Sequence, residues 1–156
     1  MARQAGSSQR LCHWWGSWST RQWARVHEQF EPPPAEGDRH ARVTALVDHR
    51  LRLHASIIGV ARAAVVVALS SPTVATTMRE RRRLLAGQVA ELFAPELGRM
   101  LTQERRQVGA AREAAASLEH VEYLRMHAGL SAPDAGAVMR RTLVALLATP
   151  PGGTHR

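Results

Sequence analysis

From Asp38 onward, apolar side chains recur every three or four positions, the spacing that gathers them on one face of an α-helix. Val43, Leu46, Val47, Leu53, Ile57, Ile58, Ala61, Ala64 and Val65 fall on one arc. That arc predicts a helix capped by Asp38 and running to about Leu69. Arg52, Ser56 and His49 fall opposite. Arg50 and His54 interrupt the middle of the arc and, four apart, are neighbours on one face. SSPT then ends this segment and opens the next, with Ser71 suited to a cap and Pro72 to the first helical position. Val74, Met78, Leu85, Val89 and Leu92 share a face to about Phe93, and Pro95 ends or interrupts the helix.

A third helix is expected from near Thr102 to about Ala128, just before Gly129. Its narrow face holds Ala110, Ala114, Ser117, Leu118, Val121 and Leu124, whose small members let another helix approach closely. SAPD, residues 131–134, is a capping-box-like start with Asp in place of Glu or Gln. The last helix runs to about Ala148 and presents Ala135, Val138, Met139, Thr142, Leu143 and Leu146. No strand pair is visible. The pattern predicts an all-α helical bundle over residues 38–149.

The first 37 residues lack a sustained period and end in EPPPAEGD, where three consecutive prolines mark a boundary. They hold all four tryptophans: Trp14, Trp15, Trp18 and Trp23. Residues 1–37 read as a leader, poorly structured or partly helical over 18–30; TPPGG, from Thr149, stops the last helix, and residues 150–156 read as a flexible tail. Tryptophan and arginine together can stack on and neutralise single-stranded nucleic acid, but no folded platform for the rings is evident here.

Charge changes this picture only modestly. All 21 basic residues are arginine, and the formal net charge is +8. Arg3, Arg10, Arg21 and Arg25 balance Glu28, Glu31, Glu36 and Asp38, so the whole excess lies in residues 39–156. Such a field permits an anionic partner without naming one. The single cysteine, Cys12, excludes an internal disulfide and a Cys-cluster zinc site, which points to the cytoplasm. No signal peptide is visible, and the longest apolar run, AAVVVAL, is too short to span a bilayer, so no membrane partner is expected. There is no Gly-rich phosphate loop, nucleophile elbow or HExxH, and Cys12 has no placed base. No cofactor and no enzymatic activity are expected.

Three stretches together carry a resemblance: RVTALVDHRLRLHASIIGVARAA (42–64), RRLLAGQVAELFAPEL (82–97) and VEYLRMHAGLSAPDAGAVMRRTLVALL (121–147). In this order and spacing, over roughly residues 39–148, they resemble the C-terminal regulatory domain of TetR/AcrR-type transcriptional regulators. The resemblance implies an all-helical effector-binding domain that homodimerises through its last two long helices, here those at about 102–128 and 132–148. The implied dimer face is Ala114, Leu118, Val121, Leu124, Val138, Met139, Thr142 and Leu146. The effector pocket would lie within the helices that begin near residues 38 and 72. The chain departs from the family ahead of that domain. Residues 1–37 show no helix–turn–recognition-helix pattern, so DNA enters only if a head domain is present.

Within the bundle, Arg50, His54, Ile58, Arg62, Met78 and Leu85 are the candidate ligand-pocket residues for an apolar or anionic small-molecule effector. Two readings of the polar pair stand side by side. Arg50 and His54 line the cavity, or Arg50 reaches out to solvent while His54 bonds a backbone carbonyl. The stripe from Val74 to Leu92 is core or apolar cavity wall. The arginines at 79–83 form a solvated face or an anionic-ligand patch. His120 and His127, two turns apart, are too distant for one zinc. A second functional reading is a standalone helical interaction protein that heterodimerises with a complete regulator and sequesters it.

Overall fold

The computed structural model describes residues 30–33, 36–98 and 100–148. The leader up to residue 29, with its four tryptophans and Cys12, and the tail from residue 149 lie outside the described residues. Every regular element among the described residues is helical, as the period-3.6 pattern requires.

Helix α1 spans Arg39–Ala68, and the Asp38 carboxylate caps it by accepting the Ala41 N–H at 2.8 Å. That bond holds the Asp38 carboxyl below its ordinary value. Helix α2 spans Pro72–Leu92, with Ser71 at the cap and Pro72 in the first turn. A short helix, α3, spans Ala94–Leu97. Helix α4 spans Thr102–Ala115 and α5 spans Leu118–Glu122. A π-helical turn follows at Tyr123–His127, and α6 spans Ala132–Leu147.

The expected single helix over 102–128 is therefore divided. Ser117 takes an extended conformation and its hydroxyl accepts the His120 N–H at 3.0 Å, so it acts as an N-cap that restarts the helix. The segment closes with Leu130 N–H donating to the Leu124 carbonyl at 3.0 Å, six residues back. Gly129, at φ +67°, supplies the left-handed step that this closure needs. At the start of α6, Ser131 accepts the Asp134 N–H, and the Asp134 carboxylate accepts the Ser131 hydroxyl proton.

Helix α1 is central and packs on α2, α5 and α6. It runs antiparallel to α2: Arg42 meets the end of α2 at the Leu92 carbonyl, Arg50 meets Leu85 and Gln88, and Ala64 faces Val74 across a cavity. It is antiparallel to α6 as well, with Arg39 bonded to the Leu147 carbonyl and Arg140 to Asp48. A methyl group at Gly136 would stand 3.0 Å from Leu51 Cδ1, so glycine lets α6 come close to α1.

The apolar interior falls into two clusters along α1. The larger gathers Val43, Leu46, Val47, Val89, Leu92 and Phe93 against Val121, Leu124, Met139 and Leu143. The smaller gathers Phe30, Leu53 and Leu85. His49, Arg50 and Gln88, all buried, lie at the boundary between them. His49 is thus inside, not opposite the apolar arc, because it serves as a hydrogen-bond partner to Arg50. Beyond this boundary α1 is sparsely covered: Val65, Val66 and Leu69 are exposed. By length and composition alone α1 could cross a membrane, with mean hydropathy 1.6 over its most apolar window. That window, however, includes the half of the helix that walls the cavity.

Candidate functional site

Small side chains create the site. Ala61 and Ala64 on α1 face Val74 and Met78 on α2, and short residues at that level leave space that longer ones would fill. The result is a half-open cavity of about 200 Å³ between α1, α2 and α5. Its walls are Ile57, Val60, Ala61 and Ala64 from α1, Val74, Met78 and Leu85 from α2, and Leu118 from α5, with Phe30 closing one side. Phe30 is itself buried, and its carbonyl accepts the Gln88 side-chain N–H.

Polar groups touch the cavity at few points. Ser56 and Thr77 carry hydroxyls, but each donates its proton to its own helix, Ser56 to the Leu53 carbonyl at 2.8 Å and Thr77 to the Thr73 carbonyl at 3.1 Å. The charged groups are Arg81, Arg82 and Glu119. Arg82 Nε pairs with Glu119 Oε1 at 2.6 Å, and both side chains are more than half exposed. Such a surface pair contributes at most about 1 kcal/mol. The Arg81 guanidinium carbon lies over the Phe30 ring, 4.4 Å from its centre.

Of the candidate pocket residues, Met78 and Leu85 stand on the cavity wall, while Arg50, His54, Ile58 and Arg62 do not. Arg50 is completely buried and neither lines the cavity nor reaches solvent. Its Nε donates to the Ala116 carbonyl at 3.1 Å and its Nη2 to the Leu85 carbonyl at 3.0 Å. Its Nη1 donates to Gln88 Oε1 at 3.0 Å and to His49 Nδ1 at 2.9 Å. The guanidinium thus ties α1 to α2 and to the residue that caps the end of α4. Burial pushes its pKa down to about 10, so it stays charged at neutral pH.

His54 and Arg62 converge on a carboxylate that sequence reasoning did not single out. His54 Nε2 donates to Glu122 Oε2 at 2.7 Å. Arg62 Nε and Nη2 donate to Glu122 Oε1 at 2.9 and 2.7 Å. Burial alone would raise the Glu122 carboxyl, but the bonds from His54 and Arg62 outweigh it and hold it below its ordinary value. His54 bonds this side chain, not a backbone carbonyl.

The residues assigned to a partner face separate by burial. Val121, Leu124 and Met139 are in the larger core cluster, so their side chains are spent within the chain. Leu118 lines the cavity. Thr142 and Leu146 are half-buried, and Ala114 and Val138 are exposed. Tyr123, Met126 and Val138 are exposed large apolar side chains on the segments that follow α4.

A second buried polar group was also missed. Arg42 pairs with Glu96 and bonds the Leu92 carbonyl, while Arg112, fully buried, reaches the Leu146 carbonyl. Burial lowers the Arg112 pKa, and the nearby Glu96 carboxylate partly offsets this. Glu96 Oε2 and Arg112 Nη1 have no hydrogen-bond partner among the described residues. Arg112 sits on a stretch whose apolar pattern is weak, so the sequence held no signal for its burial. No group of three His, Cys, Asp or Glu able to hold a metal ion occurs among the described residues. Comparison of the chain with family models, with curated proteins and with solved structures returns no match.

Proposed function

We propose that the chain is the effector-binding and dimerisation module of a TetR-type transcriptional regulator. The observation that carries this reading is the apolar cavity inside the α1–α2 hairpin, the hairpin to which the sequence resemblance assigns the effector pocket. Its volume, about 200 Å³, exceeds that of a cavity of about 150 Å³ able to take benzene. A ligand of about ten heavy atoms fits that scale.

Coupling from ligand to partner would run through α5. Leu118 and Glu119 line the cavity, and the same segment continues through the π-helical turn, where Tyr123 and Met126 are exposed, toward α6, where Val138 is exposed. These three support a homodimer face better than the buried Val121, Leu124 and Met139. A ligand that favours one setting of α5 shifts the population of dimer geometries. In a complete regulator that shift would change the spacing of two DNA heads.

The test combines occupancy and assembly. Neutral 1-octanol is expected to raise the melting temperature of the purified chain, and Ala61→Phe, which fills the cavity, is expected to abolish the rise. Sedimentation is expected to give a dimer that Tyr123→Glu or Val138→Glu converts to monomer. A chain that is monomeric at micromolar concentration and indifferent to octanol would refute the proposal.

A further inference from the structure

We infer that the cavity selects amphipathic monoanions: a compact apolar body inside, and a single carboxylate held at the mouth by Arg81. This rests on the effector-binding reading and adds to it the chemical class of the ligand.

Three observations converge. The walls are apolar, and their two hydroxyls already give their protons to backbone carbonyls, so the interior offers a ligand's polar group no free donor. Any head group must therefore find its partners at the mouth, where the charged residues are Arg81, Arg82 and Glu119. Two guanidiniums and one carboxylate leave one positive charge there. Glu119 is matched by Arg82, so among the described residues Arg81 is the cation at the mouth with no ion pair.

Arg81 is also the better placed of the two. Its guanidinium carbon lies 4.4 Å from the centre of the ring of Phe30, a wall residue, and this cation–π contact holds the group at the mouth while its N–H groups can still donate to an acceptor. A planar carboxylate suits a guanidinium, since two parallel N–H donors match its two oxygens. Neutral ligands of the same shape gain the apolar contact alone. Cations meet an unfavourable charge. A head carrying two negative charges would exceed the single positive charge available and compete with Glu119 for Arg82.

The probe pair is octanoate and 1-octanol, alike in length and different in charge. Calorimetric titration of the full chain is expected to show octanoate binding about fivefold more tightly than octanol at low salt, the scale of one partly exposed charge contact. High salt is expected to erode that ratio through octanoate alone. In Arg81→Gln the ratio is expected to fall to about one. Equal affinities in the unaltered chain, or a ratio that survives Arg81→Gln, overturn the inference while leaving an apolar effector pocket intact. If neither compound binds, the underlying effector reading fails with it. Capture by vesicles of anionic lipid with no binding of free octanoate overturns it too, because the charge would then serve a membrane surface.

Discussion

Arg50 offers the sharpest test of how this fold is held together, because its two large energetic terms oppose each other. Replacing it with alanine removes a fully buried side chain and leaves a cavity, which for a residue of this size costs about 2–5 kcal/mol. It also takes away the donor to the Ala116 carbonyl, and one buried acceptor without a partner costs about 1–3 kcal/mol. Against this, burial of the guanidinium is itself unfavourable. Burial lowers its pKa from the ordinary arginine value to about 10, a penalty on the order of 3 kcal/mol that its hydrogen bonds leave uncompensated. The sum for Arg50→Ala is a loss of about 0–5 kcal/mol, centred on about 2.5 kcal/mol. Arg50→Met keeps most of the volume and abolishes the buried charge, so it is expected within about 1 kcal/mol of the unaltered chain. Urea unfolding at neutral pH, followed by helical circular dichroism, measures both midpoints. If Met at this position is as damaging as Ala, the guanidinium's bonds outweigh its desolvation and the reasoning fails.

Three further predictions concern the stability of the fold. Ser117→Ala removes the cap that restarts the chain after α4, and thermal unfolding should register about 1 kcal/mol, roughly 5 °C. Acid sensitivity should begin with His120, whose pKa burial lowers from 6.5. The unfolded state then binds more protons, so stability falls as pH drops through 6.5, and His120→Leu should flatten that part of the profile. Glu122 acts lower on the scale. Its carboxyl is held below 4.5, so its contribution is present above that value and lost as pH falls through the folded-state pKa. Glu122→Gln should remove this second phase of the urea-midpoint profile without touching the first.

The helix starts were legible because capping is local chemistry. Asp38, Ser71 with Pro72, and Ser131 each announce a helix by a side chain that satisfies an N–H two or three residues ahead. The cavity was only half legible. The periodic stripe put Met78 and Leu85 on the right face, but a helical wheel gives the direction of a side chain and not the distance to the next helix. Ala61 and Ala64 point inward whether α1 and α2 close or stand apart. Only the packing decides that they border a void. The same limit explains Val121 and Met139. Their positions on an inward face are compatible with a partner chain or with this chain's own α1, and the fold gives them to α1.

The two larger misreadings, of Arg50 and of the helix over 102–128, have one cause. Read as continuous, residues 102–128 contain no free backbone carbonyls in the interior, and a cation on the apolar arc of α1 has nothing to bond. It must then face a ligand or escape to solvent. Read with Ser117 as an N-cap, followed by Glu119 in the first turn, the chain ends one helix at Ala115 and begins another at Leu118. The end of a helix leaves its last carbonyls without partners, and a buried end requires a donor from elsewhere. The Ala116 carbonyl is one of these, and Arg50 Nε supplies the donor. Cation and helix break thus explain each other, since a guanidinium beside a helix C-terminus also meets the negative end of its dipole. Arg50 is on the apolar arc because the interior there holds oxygens.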